Sequence, residues 1–278
     1  MTLVAEGRLG SAVRRGKADL HGLRRRVRWL VEPGWEAPRL GARPATLAWR
    51  RATSLVLPGG DPRLEAGKGH NVGLAAVAFD GVEVTSARPM SFWRALGPAT
   101  EARGFRPGLE VRGGCVVPSV GGGLCALSNA LFAMAAELGW DVLERHGHSV
   151  GLADPRALDA TVAWPHVDLR VAPRRGRAVL ATRIVDGALV VEAWTEGAPT
   201  AQVELIVEEA RDLAARRHLR IRRRVVDGDH RDDRLLVDDV KQLVAPTATT
   251  ALRTCLTCDQ HGCPTGRRER ARLLPVVR

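Results

Sequence analysis

Hydrophobic residues in the first 30 positions recur at helical spacing among many basic residues. Leu20, Leu23, Val27 and Leu30 are separated by three or four positions, and arginines fill most of the gaps between them. This spacing places apolar side chains on one face of a helix. Residues 7–30 are therefore predicted to form a basic amphipathic helix. Its basic face is either simply solvated or docks on anionic phospholipid headgroups.

A second apolar stripe follows three consecutive glycines at positions 121–123. Its members are spaced by four, three and four residues: Leu127, Leu131, Met134 and Leu138. They predict a buried helix that Gly139 ends. Another helix is predicted to start at Asn71 as its N-cap and to stop at Gly81, before a short strand over residues 82–85.

Beyond residue 155 the apolar positions indicate successive strands. The predicted segments are 160–163, 167–171, 179–185, 189–194, 203–207, 219–226 and 235–237. Asp186-Gly187 predicts a hairpin turn between two of them. Residues 141–150 are strand-like, and residues 208–217 fit either a helix or a strand.

These elements predict an α+β protein. A helical first half, with its glycine-rich turn into a central helix, precedes an antiparallel β meander and a small cysteine-rich tail. Proline and glycine cluster near residues 33–44 and 57–62. The expected organisation is therefore a basic helical segment and linker over residues 1–60, a core domain over 61–245, and a linker and tail over 246–278.

Charge and cysteine content narrow the function classes. The chain has 42 Lys and Arg against 31 Asp and Glu, a net charge of +11, but it lacks tyrosine and has no basic motif interleaved with aromatic residues. Nucleic-acid binding is therefore disfavoured. With no signal-like N-terminus, no apolar window of about 20 residues and five cysteines, the chain is expected in the cytoplasm without a transmembrane segment.

Cys125 is the main candidate for chemistry because it opens the helix after the glycines. A helix N-terminus carries partial positive charge, which favours the thiolate. Two alternatives are a buried structural thiol and a phosphate-binding loop. A phosphate-binding loop requires Lys followed by Ser or Thr, whereas this chain has Leu124-Cys125.

Six blocks in the middle of the chain resemble the VanW family. They are HNVGLAA (70–76), MSFWR (90–94), GGGLCALSN (121–129), LERHGH (143–148), LDAT (158–161) and VDLRV (167–171). The resemblance spans about residues 65–240. It implies a role in cell-wall or glycopeptide-resistance biology, because the family is named from vancomycin-resistance gene clusters, but it implies no defined activity. The family often has glutamine after the cysteine, where this chain has Ala126.

Polar residues after Cys125 follow an order that suits thiol catalysis. His148 comes next and Asp159 follows, and this order is similar to that of papain-like and transglutaminase-like enzymes. His148 would accept the thiol proton, with His146 as a rival base, and Asp159 would orient the imidazole. The backbone of Gly121, Gly122 and Gly123, with the amides through Ala126, is expected to stabilise an oxyanion.

The tail contains a separate group of candidate metal ligands. Cys255, Cys258, His261 and Cys263 lie within nine residues, and soft thiolates suit zinc or an iron–sulfur cluster. Zinc is favoured over the cluster. Because so short a segment leaves little chain to surround a metal ion, Cys115 is an alternative fourth ligand.

The resulting hypothesis is a VanW-like protein of cell-wall or glycopeptide-resistance biology whose site is centred on Cys125 and whose exact activity the sequence does not define. Thiol-dependent acyl transfer or amide hydrolysis on a cell-wall precursor is the chemistry that such a site could support, and the basic N-terminal helix is a candidate for peripheral membrane contact. A cell-wall protein is the other expected partner. The alternative is a noncatalytic binding or scaffold protein whose zinc-holding tail docks a partner.

Overall fold

The computed structural model describes residues 8–31, 37–56, 61–112, 115–151, 158–213 and 216–243. In this part of the chain the helices are α1 (Arg8–Val31), α2 (Pro62–Phe79), α3 (Phe92–Leu96) and α4 (Cys125–Glu137). The first eight strands are β1 (Arg39–Leu40), β2 (Thr46–Ser54), β3 (Val82–Thr85), β4 (Met90–Ser91), β5 (Pro107–Arg112), β6 (Cys115–Val120), β7 (Asp141–Glu144) and β8 (Val150–Gly151). The remaining strands are β9 (Arg170–Ala172), β10 (Arg177–Val185), β11 (Ala188–Thr195), β12 (Gln202–Leu213), β13 (Arg216–Asp227) and β14 (His230–Leu243).

The larger sheet has five antiparallel strands in the order β1-β3-β10-β11-β2. Strands β10 and β11 form the hairpin predicted from Asp186-Gly187. Both turn residues have positive φ, +48° and +74°, the combination that a two-residue hairpin turn requires. The α+β fold class is thus confirmed, with predominantly antiparallel pairing.

The second sheet is the long meander β12-β13-β14, with the two-residue strand β8 added parallel to β14. The sequence of segment 208–217 fitted either a helix or a strand. Residues 208–213 belong to β12, and residues 216–217 belong to β13. Strand β14 extends well beyond the predicted residues 235–237. Its last two residues pair with β8, which begins two residues after His148.

Helix α4 lies at the centre of the core. Leu127, Leu131 and Met134 are fully buried, and residues 130–136 are buried on all sides. The predicted apolar stripe is therefore part of a helix enclosed by protein. Arg223 of β13, itself fully buried, donates a hydrogen bond of 2.7 Å to the Trp140 carbonyl oxygen beyond the helix end. This contact ties the second sheet to α4.

Helix α2 begins earlier than predicted. Asp61 is its N-cap, because its carboxylate accepts hydrogen bonds from the amides of Arg63 and Leu64, and Pro62 occupies the first helical position. Asn71 lies in the middle of the helix and is fully buried, so its prediction as the cap was wrong.

Strand content differs from the prediction in two other regions. The first half contains β2 and the β5–β6 hairpin as well as helices. Conversely, the two predicted strands 160–163 and 167–171 are mostly absent. A turn closed by the bridge between Ala163 and Val167 takes their place, and the short strand β9 follows it. Pro165 lacks a backbone donor, so it cannot continue a ladder through this segment.

Domain boundaries at residues 60/61 and 245/246 stay predictions, and residues 244–278 lie outside the described residues. No helix in the described ranges is both long enough and apolar enough to cross a bilayer.

Candidate functional site around Cys125

The glycine turn before α4 is fixed by close backbone contacts. Gly121 and Gly123 have φ of +79° and +98°, which side-chain-bearing residues rarely adopt. A Cβ atom on Gly122 would lie 2.4 Å from the carbonyl group of Gly108 on β5. Only glycine permits this approach of turn and strand, so the triple glycine has a steric explanation.

Buried Asn71 holds the turn from the side of α2. Its side-chain nitrogen donates to the carbonyl oxygens of Arg106 and Gly122 at 2.8 and 3.0 Å, and its side-chain oxygen accepts from the Arg106 amide at 2.8 Å. Three satisfied hydrogen bonds from one buried amide restrict the position of the turn. The entry to α4 is consequently well defined.

The free amides at the helix start are fewer than predicted. Gly121 donates to Arg106, Gly122 donates to Ser119, and the Ala126 amide donates to the Gly123 carbonyl oxygen at 3.0 Å. Among backbone hydrogen bonds of the described residues, the amides of residues 123–125 have no acceptor. The oxyanion prediction therefore has to be restricted to Gly123, Leu124 and Cys125.

Cys125 is partly exposed at the first position of α4. Its Sγ lies 3.8 Å from Thr161 Oγ1 and within hydrogen-bond reach of the His148 imidazole. His148 Nδ1 lies 2.9 Å from Asp159 Oδ2, which leaves Nε2 for the thiol. The structure thus brings Cys125, His148 and Asp159 together, with His148 in contact with both the thiol and the carboxylate.

Two residues of α4 hold the segment that contains Asp159. Ser128 Oγ donates to the Ala160 carbonyl oxygen at 2.6 Å, and Asn129 Oδ1 accepts from the Ala160 amide at 2.8 Å. The Thr161 amide donates to the His146 carbonyl oxygen at 2.8 Å. Asp159 and Thr161 are therefore positioned by the same helix that presents Cys125.

Asp159 also belongs to a buried network of charges. Arg145 Nη2 lies 2.7 Å from Asp159 Oδ1 and 2.6 Å from Asp239 Oδ2, and Lys241 Nζ lies 2.8 Å from Asp159 Oδ2. Arg145 stacks over the Phe132 ring with its guanidinium carbon 5.1 Å from the ring centre. Two carboxylates and two cations balance each other, as buried charges require.

The surroundings shift three pKa values in the direction of a thiolate and an imidazolium. Burial raises the pKa of Cys125, but the hydrogen bond and positive charge of His148 outweigh it and lower the pKa overall. Burial lowers the pKa of His148, but Asp159 and Cys125 outweigh burial and raise it to about 9. Burial opposes ionisation of Asp159, whereas His148 and Lys241 hold its pKa well below the usual range.

His146 does not join this group. Its Nε2 contacts Glu144 Oε1 at 3.1 Å, and its side chain is 46% exposed. Glu144 is in turn paired with Arg25 of α1. His146 contributes its carbonyl oxygen to the site, while its side chain points to a different partner than predicted.

The predicted metal ligands Cys255, Cys258, His261 and Cys263 lie outside the described residues, as does the side chain of Cys115. Within the described ranges, no group of three or more His, Cys, Asp or Glu residues is arranged to hold a metal ion. The zinc site stays a prediction.

Sequence reasoning missed Arg145, Asp239 and Lys241. One signal in the sequence could have identified Asp239 and Lys241. Alternate residues of a strand lie on the same face, so Val237, Asp239 and Lys241 share one face of β14. Val237 and Lys241 are buried on that face, whereas Asp238 and Val240 are exposed on the other. Charged residues in register with a buried valine indicate an internal ion pair.

The chain is similar in sequence to known proteins over part of its length. The profile of a family described as VanW-like protein matches residues 67–194. The uncharacterized protein YoaR of Bacillus subtilis is 29% identical over 114 residues, which cover 41% of this chain and 38% of that relative. The vancomycin B-type resistance protein VanW of Enterococcus faecalis is 30% identical over 119 residues, 41% of this chain and 43% of the relative. The matches therefore span about two fifths of these curated relatives. No solved structure matches the chain.

Proposed function

We propose that this chain, whose residues 67–194 match the VanW-like family, is a thiol-dependent acyl transferase or amidase that acts on a cell-wall precursor. The observation that supports this most strongly is the chain of contacts from Cys125 through His148 to Asp159. A nucleophile, a base and a group that orients the base are the parts that acyl transfer through a covalent intermediate needs.

The proposed reaction begins with transfer of the Cys125 thiol proton to His148. The thiolate attacks the carbonyl carbon of an amide, and the C–O double-bond electrons move to oxygen. The amides of residues 123–125 donate hydrogen bonds to this oxyanion. When the oxyanion collapses, the C–N bond breaks, His148 gives its proton to the departing amine, and a thioester remains on Cys125.

The second half of the reaction releases the acyl group. Water or an acceptor amine attacks the thioester while His148 removes a proton from it, and the C–S bond breaks. The thiolate then leaves as the product acid or new amide forms. Asp159 stabilises the imidazolium in both halves, and its contacts with Arg145 and Lys241 keep it ionised throughout.

The cell-wall substrate class is supported by the relatives. One of them is named as a vancomycin B-type resistance protein, and we extend an association with glycopeptide resistance to this chain on that basis. Peptidoglycan precursors contain the peptide amide bonds that such a thiol would attack. Ala126 leaves this chain without the glutamine amide that is frequent after the family's cysteine, so substrate contacts at that position would differ.

The first test measures the reactivity of Cys125 directly. We expect iodoacetamide at pH 7 to alkylate Cys125 at least about tenfold faster than an ordinary thiol, because the thiolate fraction is raised. His148→Gln should remove this advantage, whereas His146→Gln serves as the matched control and should preserve it. Equally slow alkylation of Cys125 in wild type and His148→Gln protein would reject the catalytic site.

The second test concerns the substrate. A synthetic muramyl pentapeptide precursor is incubated with wild type, Cys125→Ala and Cys115→Ser proteins, and mass spectrometry follows thioester formation and product release. Wild type and Cys115→Ser are expected to form both, and Cys125→Ala neither. Fast alkylation of Cys125 without any adduct or product would reject this substrate class while leaving the reactive thiol in place.

A further inference from the structure

Helix α1 contacts the protein body through an unusual face. Arg25 is buried and pairs with Glu144 at 2.6 Å, and it also donates to the His166 carbonyl oxygen at 2.9 Å. Gly22 lies against Pro165, and Trp29 packs on Trp164 with ring centres 5.4 Å apart. The inward face of α1 is therefore formed by glycine, arginine and tryptophan.

The leucines and valines of α1 lie on the opposite face. At 3.6 residues per turn, they fall within an arc of about 100° that is centred nearly opposite Arg25 and Trp29. We call this set the apolar stripe, and its members are Leu20, Leu23, Val27, Leu30 and Val31. Leu23 is 60% exposed and Leu30 is 84% exposed. A continuous apolar face that is open to solvent marks an interaction site.

Basic residues border the apolar stripe on both sides. Arg24 and Arg28 are exposed along one edge, and Arg26 is exposed along the other. On the first side an open recess of about 550 Å³ is lined mainly by His21, Arg24, Arg25, Arg28 and His166, besides Leu23 and Val27 of the stripe. Burial, with the positive charges of His21 and Arg25, lowers the pKa of His166, as expected where positive potential accumulates.

We propose that α1 docks on an anionic phospholipid surface. In this arrangement the apolar stripe enters the boundary between headgroups and acyl chains, and the bordering arginines contact lipid phosphates. Charge complementarity selects this partner. A second copy of the chain packed stripe to stripe would bring two sets of arginines together, and that repulsion disfavours self-association.

The docking surface is independent of the chemistry proposed at Cys125. It is formed by α1, which precedes the family-matched segment 67–194. Its ion pair between Arg25 and Glu144 lies at the end of the strand that leads to His148, and none of the described α1 residues belongs to the Cys125, His148 and Asp159 group. Cys125→Ala protein should therefore bind vesicles as well as wild type, and loss of catalysis would not affect this proposal.

The test is co-sedimentation of the full chain with two kinds of vesicle at low salt. One contains equal parts of phosphatidylglycerol and phosphatidylcholine, and the other contains phosphatidylcholine alone. We expect wild type to bind the anionic vesicles and to be released by added salt. Leu23→Gln with Leu30→Gln should reduce the partition coefficient about tenfold or more. Arg24→Gln with Arg26→Gln should reduce the preference for anionic vesicles.

The matched control is Val77→Gln on α2, because Val77 is 76% exposed but lies outside the stripe, and binding should be unchanged. Far-ultraviolet circular dichroism checks that the exposed substitutions preserve folding. Absence of wild-type binding to anionic vesicles at low salt would overturn the proposal, as would equal binding by the double leucine variant. Sedimentation equilibrium could instead show that the wild type is a dimer and the double leucine variant is a monomer. That result would assign the apolar stripe to contact with a second copy of the chain.

Discussion

At the scale of single residues, Asp159 determines how the histidine of the site behaves. One of its oxygens faces His148 Nδ1 and Lys241 Nζ, and the other accepts from Arg145. A carboxylate in this position favours a proton on Nδ1 and stabilises the imidazolium. The orientation of the imidazole is therefore set before any substrate arrives.

The raised pKa of His148 predicts a pH-dependent contribution to stability. Its folded-state pKa of about 9 lies above the ordinary value of 6.5, so the imidazolium stabilises the fold fully below pH 6.5. That contribution is lost as the pH rises through about 9. In urea unfolding, His148→Gln should be less stable than wild type at pH 6, by roughly 2 kcal/mol after allowance for partial exposure.

The difference between wild type and His148→Gln should shrink by pH 9.5, where most of the wild-type imidazole is neutral. His146→Gln provides the control, because the exposed His146 side chain pairs with Glu144 and not with Asp159. A gap between wild type and His148→Gln that stays constant from pH 6 to 9.5 would contradict the prediction.

At the scale of elements, strand β14 completes the site from outside the family-matched segment. The match ends at residue 194, yet Asp239 and Lys241 are the partners of Arg145 and Asp159. Gly147 shows how closely the strand approaches, because a Cβ there would lie 2.4 Å from an Asp239 carboxylate oxygen. We infer that Asp239 and Lys241 are positioning residues that act on His148 through Asp159.

Two substitutions in β14, one removing a positive charge and one removing a negative charge, are expected to shift the pKa of His148 in opposite directions. Lys241→Met removes a cation beside Asp159 and should raise the pKa of His148. Asp239→Asn frees Arg145 and Lys241 to neutralise Asp159 and should lower it. Each shift is expected to be about one unit, from a single charge at short range. Histidine proton resonances followed by NMR during titration would measure both.

The adjacent residue supplies the control for these substitutions. Asp238 lies on the exposed face of β14 and pairs with His218, so Asp238→Asn should leave the pKa of His148 unchanged. A purely structural role would lower the melting temperature of Lys241→Met and Asp239→Asn proteins without moving the titration. Shifts of the same sign in both variants would contradict the proposed electrostatic route.

Local patterns were sufficient to predict several elements. The apolar spacing after Gly123 predicted α4, Asp186-Gly187 predicted the main hairpin, and basic amphipathic spacing predicted α1. Strand β2 was missed because Arg50 and Arg51 interrupt its alternation of apolar and polar residues. Its stabilisation comes from pairing with β11, a partner more than 130 residues away, which no local pattern contains.

The candidate site divides in the same way. Chain order was enough to nominate Cys125, His148 and Asp159, because the glycine turn and the neighbouring polar residues are distinctive. Order alone did not separate His148 from His146. That distinction depends on Glu144, whose position is fixed by Arg25 from α1, a contact across 119 residues. Long-range ion pairs of this kind have no signature in sequence spacing.

At the scale of the whole molecule, the cysteine-rich tail is predicted to bind one metal ion. Protein purified under reducing conditions should contain about one zinc per chain, because thiolates at CxxC spacing favour that ion. Cys258→Ser should lower the zinc content severalfold, and Cys125→Ser serves as the control that leaves it unchanged. Elemental analysis by mass spectrometry measures this. Absence of metal from the wild-type protein would contradict the prediction. Iron found together with sulfide would indicate that the tail binds an iron–sulfur cluster and not zinc.

The outward-facing stripe on α1 also has an expected consequence for the colloidal behaviour of the protein, because its leucines and valines are exposed. Repulsion between the bordering arginines opposes association of the stripe with the stripes of other molecules. Dissolved salt screens this repulsion beyond the Debye length, which is about 8 Å at physiological ionic strength. High salt strengthens attraction between apolar surfaces at the same time when the anion is sulfate or phosphate. Salt that is expected to release α1 from the proposed anionic surface is therefore also expected to favour aggregation through the same helix.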